Sequence, residues 1–184
     1  QGYSSAASDV YKRQLYGFSL QITDIDPTYT LGDMERQRQM TIAQLQQEGV
    51  WDMNREAPMP VVVQRVAVVS SANAAGYQDF RKELAKSPYR FDVTLFDAFM
   101  QGAAAEESIV AALCAVAERM DEFDAVVLIR GGGSASDLNC FNAYRLCAHV
   151  AQFPLPILTG IGHDKDTSVA DMVAHTCLLY TSPS

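Results

Sequence analysis

The sequence predicts an α/β fold: an open, mostly parallel sheet with helices on both faces. Three observations carry that expectation. The runs at 65–70, 91–96, 125–129 and 156–161 are rich in β-branched and apolar residues with little alternation, as strands buried on both faces are. Between them lie stretches with helical spacing, which supply the crossovers that parallel neighbours require. Three of the runs also empty into polar loops, Ser70-Ser71 to Asp79, Arg130 to Asp137 and Gly160 to Asp166. In an open α/β sheet the ligand crevice lies beyond the carboxyl ends of the strands, so these loops should converge on one site.

The elements follow in order. Residues 1–14 and 178–184 show no sustained period and read as tails. Leu15 to Ile25 alternates, with Phe18, Leu20 and Ile22 on one side of a half-buried strand that Asp26-Pro27 ends. Thr30 to Glu48 places Met34, Arg38, Ile42 and Leu45 at helical spacing and closes at Gly49, the pattern of a polar, one-faced linker helix. A separate domain starts after Pro58 and Pro60. Its first strand, Arg65–Ser70, leads through Ser-Ala-Asn-Ala-Ala-Gly into a helix from about Tyr77 to Lys86, and Phe91–Phe96 is the next strand. Glu106 to Met120 reads as a helix with acidic residues in its first turn, where the dipole favours them. Ala125–Ile129 runs into Gly131-Gly132-Gly133-Ser134. A helix over 142–152, a strand over 156–161 and a last helix over 167–175 complete the pattern. The carboxylates of Glu106-Glu107, Asp121-Glu122 and Asp124 read as solvated surface, and His149 and His175 as packing or surface residues.

Composition sets limits on function. With 184 residues, 48% of them hydrophobic and 20% charged, the chain can bury a core and is neither a disordered acidic tail nor a collagenous repeat. A membrane-spanning helix needs roughly 20 apolar residues, and apolar runs such as Ala125–Ile129 and Pro154–Leu158 fall far short. The net charge of −8 argues against non-specific attachment to polyanions. Charge is uneven, however: Arg36, Arg38, Arg55, Arg65, Arg81, Lys82, Lys86 and Arg90 gather between positions 36 and 90, leaving room for a local basic face. The four cysteines form no CxxC pair and lack histidines at metal spacing, which disfavours both a zinc site and a disulfide framework. A reduced, cytoplasmic chain is the expectation.

The loops carry the chemistry. Arg130-Gly131-Gly132-Gly133-Ser134 follows a buried strand, so its N–H groups can cradle an anion without Cβ interference while the arginine offers a planar fork for phosphate. A merely flexible turn is the alternative. Gly162-His163-Asp164-Lys165-Asp166 puts a histidine at a strand's carboxyl end with Asp166 three residues on. His163 is thereby a candidate general acid or base, and Asp166 either orients it or caps the next helix. Asp79 lies at the start of the helix after the first strand. Ser70 and Ser71 can donate hydrogen bonds to a phosphate or simply form a turn.

Read together, three motifs resemble, in order and spacing, the large subunit of exodeoxyribonuclease VII. They are Arg65-Val-Ala-Val-Val-Ser-Ser with Gly76 and Asp79, Arg130-Gly-Gly-Gly-Ser-Ala-Ser-Asp-Leu with Phe141-Asn142, and Gly162-His163-Asp164-Lys165-Asp166 with Ala170-Asp171. The resemblance covers about Leu15 to Thr176, which implies that the ends, 1–14 and 177–184, are tails not native to the fold. It implies that 15–28 is the last strand of an OB-fold, 29–57 the linker helix and 58–176 the catalytic domain. It also implies hydrolysis of single-stranded DNA from its ends to oligonucleotides, with Asp79, Arg130, His163 and Asp166 as the catalytic set. Ser70, Ser71, Gly131, Gly132, Gly133, Ser134 and Asn142 would then hold phosphate or DNA. No divalent metal is strictly required by the resemblance, although the two aspartates leave room for Mg²⁺. The implied partners are single-stranded DNA and a small subunit, met through a C-terminal region outside this sequence; no membrane is implied. The alternative is a non-catalytic α/β module that binds a nucleotide or another phosphorylated ligand in the same crevice.

Overall fold

The structure, a computed structural model, describes residues 27–131, 135–161 and 167–178. The strand expected at 15–25 lies outside them. The chain divides into two compact units, 1–32 and 33–184; of the former, only the opening of helix α1 (Pro27–Gln47) is described. That helix starts three residues earlier than expected from sequence, at a proline, whose fixed φ and missing N–H suit the first helical position. It ends at Gln47, where Gly49 turns the chain with φ +72°. The rest of the expected linker helix, 48–57, is a series of turns.

Five strands form one parallel sheet: β1 (Arg65–Ser70), β2 (Asp92–Asp97), β3 (Ala125–Ile129), β4 (Ile157–Gly160) and β5 (Thr176–Cys177), in the spatial order β2-β1-β3-β4-β5. The four strands expected from sequence are all present within a residue or so of their ends. The two-residue β5 was not expected, and it straddles the domain boundary drawn at Thr176. The chain steps outward from β1 to β2, then back past β1 to β3 and on to β4. With crossovers of one hand, that reversal puts the first connecting helix on the opposite face from the later ones. Accordingly α2 (Ala75–Lys86) sends Tyr77 and Phe80 onto Val66, Val68, Val127 and Ile129. On the other face α3 (Ala105–Ala117) and α4 (Tyr144–Ala151) bury Ile109, Leu113, Leu146 and Val150 with Ala67, Val69, Val126 and Leu128.

Two expected helices are shorter. The helix expected over 142–152 is α4, Tyr144–Ala151, which extended Ala143 separates from a preceding 3-10 run, Ala135–Asn142. The last helix, α5, covers only Val169–Val173, since Ala174 is extended and leads into β5.

Asn54 ties the turns after α1 to this sheet. Its side chain is fully buried and uses its whole hydrogen-bonding capacity. Nδ2 donates to the Phe153 and Leu155 carbonyls at 2.9 and 2.8 Å, and Oδ1 accepts from the N–H groups of Ile157 and His175, both at 3.0 Å.

Asp124 corrects the sequence reading of the acidic groups. Its side chain is only 15% exposed, and it accepts from the N–H groups of Gln64 and Arg65 at 2.9 and 2.8 Å and from the Arg65 guanidinium at 2.6 and 3.1 Å. A carboxylate just before a strand can bind the N–H groups entering the neighbouring strand, a contact the local sequence does not reveal. The Arg65 fork, acting against burial and aided by the two N–H groups, holds the Asp124 carboxyl down at about 2 from an ordinary 3.8. The folded state therefore gains stability above about pH 4 and loses it as pH falls from about 4 towards 2. Because Arg65 is half exposed, the gain is discounted to about 1–2 kcal/mol. Urea midpoints between pH 6 and pH 2.5 should fall less steeply in Asp124→Asn than in the parent; parallel curves would show that this pair does not carry the acid sensitivity.

Candidate active site

The reversal of strand order falls between β1 and β3, and a cavity of about 360 Å³ opens there at the carboxyl ends of the strands. Ser71, Asn73 and Ala74 line it after β1, Phe99 and Gln101 after β2, and Arg130 after β3. The turn after β1 is held by its own backbone and by its neighbour. The Ala74 N–H donates to the Ser71 carbonyl at 2.9 Å, and Asp97 Oδ1, at the end of β2, accepts from the Ala72 N–H at 2.9 Å. This directs the first residues of α2 toward the end of β3.

The approach there is close. A Cβ on Gly76 would lie 2.7 Å from the Arg130 carbonyl oxygen, and one on Gly131 3.1 Å from the Ala75 nitrogen. Only glycine lets the helix and the loop meet at this separation. The Arg130 N–H donates to the Gly160 carbonyl at 3.1 Å, which extends the β3–β4 ladder and fixes the arginine's backbone. Its side chain is 8% exposed and borders the cavity. Burial pushes the neighbouring Cys140 thiol up, and the Arg130 charge opposes that shift. The α2 N-terminus, whose N-cap Ala74 provides no side-chain cap, opens on the same cavity. A buried guanidinium and uncapped helix N–H groups together favour an anion.

The sequence-predicted residues are distributed unevenly. Ser71, Arg130 and Gly131 come together at the cavity. Ser70 is fully buried at the end of β1, its hydroxyl unpartnered. Asp79 stands in the second turn of α2 with its side chain 70% exposed and paired with Lys82 at 3.1 Å, and does not line the cavity. Asn142 serves as a clamp: its Oδ1 accepts from the Val169 N–H at 2.9 Å, tying the end of the 3-10 run to the start of α5. Gly132, Gly133, Ser134, His163 and Asp166 lie outside the described residues. α5 is capped by Ser168 and Asp171 in a reciprocal capping box.

Asn73, Asp97, Phe99 and Gln101 were missed from sequence. Asp97 carried a signal, a carboxylate at the end of a predicted strand, while the other three are placed only by the fold. Among the described residues no group of three His, Cys, Asp or Glu could hold a metal ion. The described polar side chains at the cavity are Ser71, Asn73, Gln101 and Arg130, with no carboxylate and one cation, a set that does not fit Mg²⁺.

A parallel α/β domain with an arginine and a helix N-terminus at its strand-order reversal has an arrangement that suits an anion. Comparison with known proteins makes this specific. The family model for the exonuclease VII large subunit matches residues 50–179, and the chain belongs to that family. It is similar to the exodeoxyribonuclease 7 large subunits of Deinococcus radiodurans, at 39% identity over 92% of this chain and 41% of the relative, and of a Nostoc species, at 39% over 71% and 32%. A Synechococcus relative of the same name is 38% identical over 85% of this chain and 40% of its own length. The chain thus spans about a third to two fifths of the curated relatives it matches.

Proposed function

We propose that this chain contributes the catalytic α/β domain of an exodeoxyribonuclease VII large subunit, hydrolysing phosphodiester bonds of single-stranded DNA from its ends to oligonucleotides. The observation that carries this reading is the placement of Arg130, buried in the wall of the cavity at the strand-order reversal. There the guanidinium holds a phosphodiester and stabilises the charge that develops as water adds to phosphorus. Ser71 and the α2 N–H groups bind its oxygens, with Gly132, Gly133 and Ser134 continuing the cradle. His163, supported by Asp166, transfers protons to and from the reacting oxygens. Asp79 aligns His163 or the attacking water, which requires that it exchange its surface pairing with Lys82. No step is routed through a metal, and none is strictly required. Single-stranded DNA and a small subunit are the partners, and the cytoplasm is the compartment. No helix among the described residues is long and apolar enough to cross a membrane.

The test is digestion of an end-labelled single strand by the complete large subunit with its small partner, with and without EDTA. Labelled oligonucleotides should appear in both conditions, and His163→Ala should abolish their release while DNA is retained. Tight binding of a nucleotide with no release from any strand would instead establish the non-catalytic binder.

A further inference from the structure

A second concavity, of about 610 Å³, lies between α2 and the edge strand β2, away from the cavity described above. Arg81, Leu84 and Ala85 of the helix form one side, and Tyr89, Phe91 and Val93 of the following turn and strand form the other. The chemistry is aromatic and basic. The Tyr89 side chain is 75% exposed, and Tyr77 in the floor carries the Arg81 guanidinium 5.9 Å from its ring centre. The ten residues from Arg81 to Arg90 hold four cations and a single carboxylate, in a chain whose net charge is −8. Lys82, Lys86 and Arg90 are exposed at the surface, where they pair with Asp79, Glu83 and Asp92, so Arg81 is the cation that lines the groove. A large exposed tyrosine ring in the same groove as an arginine, in the most basic stretch of an acidic chain, is unexplained by packing.

We propose that this groove is a remote subsite for single-stranded DNA, in which a base stacks on Tyr89 while Arg81 meets a flanking phosphate. The inference rests on the nuclease reading for the identity of the strand. Stacking on an aromatic face accepts any base, and a basic groove follows the backbone, the combination that binds single strands without sequence preference. The fold sets the distance. Ala75 borders the crevice and Ala85 the groove on the same helix, and ten residues at 1.5 Å rise separate them by about 15 Å. That span corresponds to about four nucleotides at a stacked rise of ~3.4 Å. A strand whose phosphate lies against Arg130 therefore reaches Tyr89 only when it extends several nucleotides past the cavity. Contacts made there supply binding energy remote from the reacting bond.

The test uses this chain and a fluorescent twelve-residue oligo(dT), titrated by anisotropy at low salt. Arg81→Ala with Tyr89→Ala should weaken binding about tenfold or more, and Tyr89→Phe alone should keep most of the affinity, because the ring is retained. A three-residue oligo(dT), too short to span the crevice and the groove together, should bind the parent much more weakly than the twelve-residue strand. Circular dichroism melts confirm that the double variant is folded, as expected for two exposed positions. Unchanged affinity for the longer strand in a folded double variant would overturn the proposal. So would insensitivity of the complete large subunit to the same changes, which would mean that another segment of the longer chain fills the groove. The nuclease reading fails separately: if the complete enzyme releases no nucleotides yet the double variant loses affinity, the groove stands as a single-strand site and the activity does not.

Discussion

Arg130→Lys is expected to lower kcat/KM for single-strand cleavage by about 10²-fold or more in the complete enzyme, although the charge is kept. An ammonium is a point donor and cannot place two parallel N–H groups against two phosphate oxygens. Its shorter reach also matters here, because the backbone of residue 130 cannot follow. The N–H is held by Gly160, and the carbonyl is pressed against Gly76. The loss should appear mainly in kcat, with thermal stability changed little, since the stem of the lysine still fills most of the arginine's volume. Near-normal turnover would show that Arg130 acts only through its long-range field or through packing.

Asn54→Ala should destabilise the fold by about 3–5 kcal/mol, at the upper end for a single polar substitution. The change leaves the Phe153 and Leu155 carbonyls and the Ile157 and His175 N–H groups without their partner in a fully buried position. Each such group costs about 1–3 kcal/mol when it stays dry, and partial relaxation keeps the total below the simple sum. Urea unfolding should show a lower midpoint with an unchanged slope. A loss below about 1 kcal/mol would mean that water replaces the side chain at little cost.

The parallel sheet was legible because its strands announce burial on both faces: Val66 to Val69 and Ala125 to Ile129 have no polar alternation to suggest otherwise. The crevice was legible for a related reason, since Arg130 and its glycines follow such a run directly. What sequence could not supply was contact between distant segments. Asn54 resembles a loop residue until the carbonyls near Phe153 are brought beside it. Asp124 resembles surface until β1 is laid against β3. Asp79 shows the opposite limit, because its position at the start of a helix was readable and the face it presents was not. The shortness of α5 had no local marker, as Ala174 is a good helix former that tertiary context holds extended.

The bonds made by Asn54 also bear on how the protein folds. They join partners 99 to 121 residues apart, separations at which ring closure is entropically demanding and rewarded only after the intervening chain is arranged. Phe153, Leu155, Ile157 and His175 can present their backbone groups together only once β5 has paired with β4. Asn54 is therefore expected to close the domain late, after the folding transition state, as a latch on the assembled sheet. Its substitution should act chiefly by quickening unfolding while leaving the folding rate nearly untouched, so that the lifetime of the native state depends on a side chain that plays no part in starting its formation.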